Sequence, residues 1–319
     1  MSKHFVTGGA GFIGSHIVER LVGDGYDVTV FDDFSTGRYD NIAHLEGRKL
    51  TVVEGDVRDE KAVTKAMKGS HYVFHQAALP SISRSVDDPQ TSHDVNMGGT
   101  LNMLHAARAN KRTVKRLIYA SSSSVYGDTP TLPKVETMAT QPMSPYAVSK
   151  LGGENYCRAF FLSYGLETVA LRYFNVFGPR QDPESAYAAV IPLFTKAMLG
   201  RAKPMIYGDG KQTRDFTHID NVVDANLAAC TSTKAPGNVF NVACGSRVTI
   251  AGLANMIGEL LGVSREPRMK PARPGDVRHS LADIARAEEF LSYRVRVDLR
   301  QGLARTVEWY REQAEAASA

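Results

Sequence analysis

The opening of the chain limits its fold more than any other stretch. A short extended run, His4-Phe5-Val6-Thr7, leads into Gly8-Gly9-Ala10-Gly11-Phe12-Ile13-Gly14, and an amphipathic segment follows through Leu21. Gly8, Gly11 and Gly14 are spaced GxxGxxG, a relative of the GxGxxG pattern of dinucleotide-binding turns. Glycines permit a tight strand-to-helix turn and let backbone approach a pyrophosphate, whose charge a helix N-terminus favours. The run lies directly between a strand and a helix, the context this chemistry requires. Strand and helix patterns alternate from here to about residue 172, which predicts an α/β fold with a doubly wound parallel sheet and helices on both faces.

The ends of the next strands carry the candidate ligand groups. A second strand, Asp27 to Phe31, ends in Asp32-Asp33, with Asp32 18 residues beyond Gly14. That is near the distance expected of the acid that bonds an adenosine ribose. A carboxylate there repels a 2′-phosphate, so NAD is expected rather than NADP, with Arg38 the residue that could accommodate such a phosphate instead. A third strand, Leu50 to Glu54, leads to Asp56, which suits either the adenine amine or the N-cap of a helix over Glu60 to Met67. A fourth, Tyr72 to His75, ends in Gln76-Ala77-Ala78, small enough in part for a nicotinamide ribose to approach the backbone. The apolar run Leu117 to Ala120 reads as a buried strand and opens onto four serines, Ser121 to Ser124.

Ser144-Pro145-Tyr146-Ala147-Val148-Ser149-Lys150 supplies the reactive groups. Ser144 suits an N-cap and Pro145 the first helical position, which places Tyr146 in the first turn. Lys150, four residues on, shares its helix face. Its ammonium is expected to stabilise the phenolate and lower a pKa that is ordinarily about 10. A phenol tuned in this way is a general base for a hydroxyl proton, and alcohol oxidation follows if hydride leaves the same carbon.

On these motifs, together with Ala120 to Gly127, Arg172-Tyr173-Phe174-Asn175, Thr213-Arg214-Asp215-Phe216 and Arg273-Pro274-Gly275-Asp276, the chain resembles an extended short-chain dehydrogenase/reductase of the UDP-hexose 4-epimerase family. The resemblance is strongest to bacterial UDP-N-acetylglucosamine 4-epimerases, through Arg278 to Asp283 and Ala186 to Pro192. It implies catalysis by Ser122, Tyr146 and Lys150. Tyr146 would take the sugar O4 proton, C4 would give hydride to bound NAD, and the 4-keto sugar would turn before hydride returns. It places the cofactor along Gly8, Gly11, Phe12, Ile13, Gly14, Asp32, Asp33, Ser35, Gly37, Asp56, Val57, Gln76, Ala77, Ala78 and Tyr173, besides Tyr146 and Lys150. It places the UDP-sugar along Ser122, Ser123, Tyr146, Asn175, Ala189, Val190, Tyr207, Arg214, Arg273, Asp276 and Ser280. Arg214 and Arg273 match positions that grip the diphosphate, for which the planar guanidinium fork is suited.

The resemblance also narrows the reaction. Related 4,6-dehydratases carry Asp-Glu after the catalytic hydroxyl residue, where this chain has Ser123 and Ser124, so dehydration is not expected. UDP-glucuronate 4-epimerases usually have threonine at the position of Asn175. Enzymes restricted to UDP-glucose and UDP-galactose typically have tyrosine at the position of Ser280. The serine therefore implies room for an acetamido group, and UDP-GlcNAc/UDP-GalNAc as substrates alongside UDP-glucose/UDP-galactose; a UDP-uronate 4-epimerase or another NAD-dependent nucleotide-sugar oxidoreductase is the alternative. A catalytically silent NAD-binding scaffold is the distant alternative.

Composition excludes little else. The chain has 319 residues, 43% of them apolar, enough for a sizeable core, and a net charge of +4 with signs interspersed, so no nucleic-acid partner is expected. No transmembrane run or leader is read, and three cysteines without metal spacing point to no metal and a reduced, cytoplasmic protein. Residues 1–176, with 217–245 returning to them, are expected to form a Rossmann-type NAD-binding domain. Residues 177–216 and 246–319 are expected to form a smaller mixed substrate domain. Beyond Pro179 the reading is helix at Ile191 to Leu199, extended chain at Pro204 to Tyr207, helix at Ile219 to Thr231 and strand at Gly237 to Val242. Helices follow at Ile250 to Leu261, Asp283 to Leu291 and Leu299 to Glu315, and Arg265 to His279, with its three prolines, reads as a loop. Gly152-Gly153 inside the Tyr146 helix conflict with helix propensity. They are either tolerated or serve close helix packing at the homodimer interface that the family implies.

Overall fold

The structure, a computed structural model, describes residues 2–184, 188–272 and 277–316. Six strands of the first half, β1 (Lys3–Thr7), β2 (Asp27–Asp32), β3 (Leu50–Glu54), β4 (Tyr72–His75), β5 (Arg116–Ser122) and β6 (Glu167–Tyr173), lie parallel. The strand Val239–Val242 joins them beside β6, giving the order Val239–Val242, β6, β5, β4, β1, β2, β3. Successive residues of a strand face opposite sides, and the sequence uses this at Phe5/Val6, Val73/Phe74 and Leu117/Ile118. Phe5, Val73 and Leu117 enter a core with Val63, Leu104 and Phe160. Val6, Phe74 and Ile118 enter another with Ile17, Leu21, Val222 and Phe240. A sheet buried on both faces is the parallel α/β arrangement that the alternating pattern predicts.

The strand order reverses direction at β1, which pairs with β2 on one side and β4 on the other. At such a switch point the connections leave toward opposite faces and open a crevice at the carboxyl edge of the strands. The glycine turn after β1 and Gln76–Ala78 after β4 meet there. Gly8 has φ +63°, and a side chain on it would lie 2.7 Å from the Ala77 nitrogen. Beyond β6, Phe177, Phe194, Ile206, Leu253, Ile257 and Leu303 build a separate apolar cluster under the helices Val190–Leu199, Ile250–Leu261 and Leu299–Ala316.

Several local expectations need correction. Arg268–Lys270 is not loop but a three-residue strand, parallel to Met205–Tyr207, bounded by Pro267 and Pro271. The helix at Glu60 is capped by Asp59, whose carboxylate accepts from the N–H groups of Lys61 and Ala62, and not by Asp56. The strand expected from Gly237 starts at Val239, because Gly237 turns the chain at φ +75°. The helix expected from Asp283 starts at Ala285. Gly152 and Gly153 have a reason within one chain. A β-carbon at 153 would lie 2.2 Å from the Tyr119 hydroxyl, and one at 152 would lie 2.8 Å from Met97 Cε. They let the Tyr146 helix lie close on the sheet and on the neighbouring helical layer. No helix of the described residues is long and apolar enough to cross a membrane.

Candidate active site

The glycine turn is built for an anion. The helix α1 (Phe12–Gly23) starts after Gly11, which offers no side chain to cap it, so its opening N–H groups lack the usual internal acceptor. Gly14 must be glycine, since a β-carbon there would stand 2.0 Å from the Gly8 carbonyl oxygen. Asp32, at the end of β2, is buried and accepts from the Ala10 and Phe34 N–H groups at 2.9 Å each, so its carboxylate holds the turn in place. Burial pushes its pKa up, and the two N–H donors oppose that. Each carboxylate oxygen keeps a second lone pair for a ribose hydroxyl. Gly37 closes over the same group, for a side chain there would meet Asp32 Oδ1 at 2.8 Å. Asp33 is exposed and takes both the N–H and the hydroxyl of Ser35. Phe12 and Ile13 flank the turn, half-buried. These groups fit a dinucleotide pyrophosphate and its adenosine ribose.

Asp56 is less available than expected. It accepts from the backbone N–H of Arg58 at 2.8 Å and from its guanidinium, and that pairing holds its carboxyl below the usual range. Val57 beside it is buried, with its side chain against Gly99. Gln76 and Tyr173 belong to one network. The Tyr173 hydroxyl donates to Gln76 Oε1 at 3.2 Å, and Asn226 Nδ2 donates to that hydroxyl at 2.9 Å. Ala77 is fixed by its N–H on Thr7 Oγ1 at 3.3 Å, and Ala78 follows it, half-buried.

Beside this edge the serines, the tyrosine and the lysine converge. Ser144 caps the helix Pro145–Tyr164 by accepting from the Ala147 N–H at 3.2 Å, with Pro145 in the first turn. Tyr146 is thereby brought to the end of β5, where its phenol faces Ser122. Ser124 donates to Ser122 at 2.9 Å, whereas Ser121 is turned away and donates to Glu154. Ser123 opens the 3-10 turn Ser123–Tyr126 and is half-buried. The electrostatics differ from the expectation of an acidified phenol. Burial pushes the Tyr146 phenol above its ordinary value, opposed by Ser122, and pushes the Lys150 amine down to about 7. Lys150 Nζ donates to the Ala120 carbonyl at 2.8 Å and stands 6.0 Å from the Tyr146 ring centre. The protein's own groups therefore hold the phenol neutral at pH 7.

Sequence reasoning passed over the buried amides and hydroxyls that hold the tyrosine helix. Asn96, in the π-helical turn Asp94–Gly98, accepts from the Leu79 N–H at 2.7 Å and donates to Ser149 Oγ at 3.1 Å. Ser149 in turn donates to the Tyr146 carbonyl. Ser85 accepts the Tyr146 N–H at 3.0 Å. The only signal available in the sequence was an asparagine beside two glycines in an otherwise helical stretch.

A cavity of about 280 Å³ lies among the segments that follow β6. Asn175, Ala189, Val190, Tyr207 and Arg214, all candidates for the substrate, line it together with Phe177, Phe194 and Gln212. Ala189 precedes the helix Val190–Leu199 without capping it, so a second helix N-terminus faces this space. Asn175 adopts φ +33°, a region disfavoured for a side chain, and its amide donates to the Asp215 carbonyl at 2.9 Å. Arg214 donates to the carbonyls of Thr213 and Arg278. Asp215, which sequence reasoning left unassigned, is wholly buried. It accepts from the N–H groups of Cys244, Gly245 and Ala282, and burial raises its pKa to about 6. Ser280 is buried and bonds through its N–H to the Thr213 carbonyl, next to Arg214, but does not line this cavity. Arg273 and Asp276 lie outside the described residues.

Known proteins resemble this chain over nearly its whole length. The sequence profile of the NAD dependent epimerase/dehydratase family matches residues 4–243. The UDP-glucose 4-epimerase of Mycolicibacterium smegmatis is 39% identical over 316 residues, covering 98% of this chain and all of that protein. Among solved structures, the UDP-N-acetylglucosamine 4-epimerase of Methanobrevibacter ruminantium in complex with UDP-N-acetylmuramic acid is 41% identical, with a TM-score of 0.93 over 98% of this chain and 99% of that one. The Thermus thermophilus UDP-glucose 4-epimerase complexed with NAD is 35% identical, with a TM-score of 0.88 over 97% and 99%.

Proposed function

Because the chain belongs to the NAD dependent epimerase/dehydratase family, we propose that it inverts C4 of UDP-hexoses through a 4-keto intermediate. The observation that carries this is that Ser122, at the end of β5, and Tyr146, in the first turn of its helix, come together at the carboxyl edge of the sheet, with Lys150 one helical turn on and the glycine turn at the same edge. NAD, when bound, would supply a reversible hydride acceptor. Gly8, Gly11 and Gly14 would admit its pyrophosphate, Asp32 would take a ribose, Gln76 to Ala78 would border the nicotinamide end, and Lys150 would hold the nicotinamide ribose. Ser122 donates to or accepts from the sugar O4, and Tyr146 removes the O4 proton and gives it back. Arg214 and the start of the helix at Val190 favour the diphosphate charge. Tyr207 and Asn175 bound the nucleotide.

The N-acetylated pair, UDP-GlcNAc and UDP-GalNAc, is the preferred substrate in this reading. What supports it is a small residue, Ser280, at the position where enzymes restricted to UDP-glucose and UDP-galactose typically have tyrosine. Incubation with a panel of UDP-sugars, with products separated by chromatography, tests the reaction. The Ser280→Tyr variant is expected to lose about tenfold or more of its kcat/KM on the N-acetylated pair, the loss typical of a pocket that overlaps substrate volume. Undiminished activity of this variant on that pair rejects Ser280 as the gate.

We also infer a homodimer. Ile82 and Val86 on the helix Ile82–Asp87 and Val148 on the tyrosine helix are large apolar residues left about half exposed or more on elements that pack together. Light scattering of the purified protein is expected to give twice the chain mass, and a monomer mass at micromolar concentration overturns the inference.

A further inference from the structure

Tyr146, Lys150 and Glu154 stand four residues apart on one face of the helix Pro145–Tyr164, and each faces the end of β5. Tyr146 faces Ser122, Lys150 donates to the Ala120 carbonyl, and Glu154 accepts from the Ser121 hydroxyl. The first two contacts belong to the reaction described above, and the third does not. Glu154 is itself clamped by Arg172, which lies opposite Ser121 in the β5–β6 register and donates from Nε at 2.9 Å and Nη2 at 2.7 Å. The same guanidinium lies 4.6 Å from the ring centre of Tyr126, at the end of the turn that Ser122 caps. Ser121, Glu154 and Arg172 are each at most 4% exposed.

Such a buried pair is a poor way to hold a helix on a sheet. Apolar residues of similar volume often do so as well or better, because two charges need not be stripped of water. The pair does have what an apolar layer lacks: direction. Two parallel bonds fix the carboxylate plane, and a hydroxyl donor then has one place to stand.

We propose that Glu154, anchored by Arg172, is a positioning residue of the epimerase reaction. Through Ser121 it sets where the end of β5, and with it the Ser122 hydroxyl, stands relative to the Tyr146 phenol. The proposal rests on the epimerase reading above. Reacting groups held by neighbours in this way lose rate steeply on displacement, about 10²-fold for a shift of roughly 1 Å.

Ser121→Ala is the decisive variant, because it removes the third contact and leaves the Arg172–Glu154 pair intact. Its kcat is expected to fall about tenfold or more, with KM for the UDP-sugar, bound NAD and Tm near wild type. Ser121→Thr, which keeps the hydroxyl, is expected to recover most of the loss. Glu154→Gln should show the same split of kcat from KM, with a lower Tm. Wild-type kcat in Ser121→Ala overturns the proposal, as does a loss confined to KM or one that tracks lost NAD. If the wild-type protein itself turns over no UDP-hexose, the functional reading fails and this assignment falls with it. An active wild type with an unaffected Ser121→Ala removes this assignment alone.

Discussion

Tyr146→Phe is expected to lower turnover of the UDP-hexose pair by about 10³-fold, within the range typical of a lost general base, while the purified protein still carries NAD. The variant removes one oxygen and leaves the ring. Ser122 keeps its contact with Ser124, and the backbone bonds of residue 146 to Ser85 and Ser149 do not involve the phenol. The fold around the site should therefore persist, and the loss should fall on kcat rather than KM. The electrostatics make the test sharper. Burial raises the Tyr146 pKa and lowers that of Lys150 to about 7, so a positive charge brought near the phenol would favour its ionised form. In the wild type, incubation with UDP-sugar should produce some absorbance near 340 nm from reduced cofactor, and in the variant it should not. Turnover within tenfold of wild type would remove Tyr146 from the proton-transfer step.

Gly14→Ala is expected to have the second largest effect, on cofactor retention and on stability together. A β-carbon there would lie 2.0 Å from the Gly8 carbonyl oxygen, 2.7 Å from its carbon and 2.9 Å from Gly9 Cα. All three are backbone atoms, so no side chain can swing aside. Either the turn opens or the start of α1 shifts, and both move the N–H groups that face the pyrophosphate. Overpacking of this kind destabilises by about 1–3 kcal/mol or more, and NAD content should drop well below one per chain. Gly23→Ala in the same helix is the control. Beyond its own helix backbone and chain neighbours nothing lies within 4 Å of its added carbon, and alanine there should be neutral or slightly stabilising, because it relieves the backbone entropy of glycine in a helix. Full NAD content and an unchanged Tm in Gly14→Ala would show that the turn yields where the geometry says it does not.

What could be read in the chain was local. Gly8, Gly11 and Gly14 announce a turn by their spacing: Gly8 takes a left-handed backbone and Gly14 leaves no room for a β-carbon. Ser144-Pro145 announces a helix start because capping acts over three residues. The spacing of Tyr146 and Lys150 follows from the helical repeat alone. What could not be read depends on partners far away in sequence. The phenol's pKa is set by how deeply it is buried, which no spacing reveals. Glu154 meets Arg172 because the helix Pro145–Tyr164 packs on β6, and Ser121 joins them because β5 lies beside β6. Asn96 holds Ser149 across 53 residues. The strand Arg268–Lys270 exists because Met205–Tyr207 offers it an edge, and three prolines nearby argue otherwise.

The return of Val239–Val242 to the sheet beside β6 restricts how proteins of this plan can be recombined. The polypeptide leaves the nucleotide-binding layer after Tyr173, builds much of the cavity wall, and then comes back to supply the outermost strand. A single crossover placed anywhere between these points would hand one parent's edge strand to the other parent's sheet. Chimaeras that exchange sugar preference should therefore be made as grafts with two junctions, and libraries built from one breakpoint should yield few folded members.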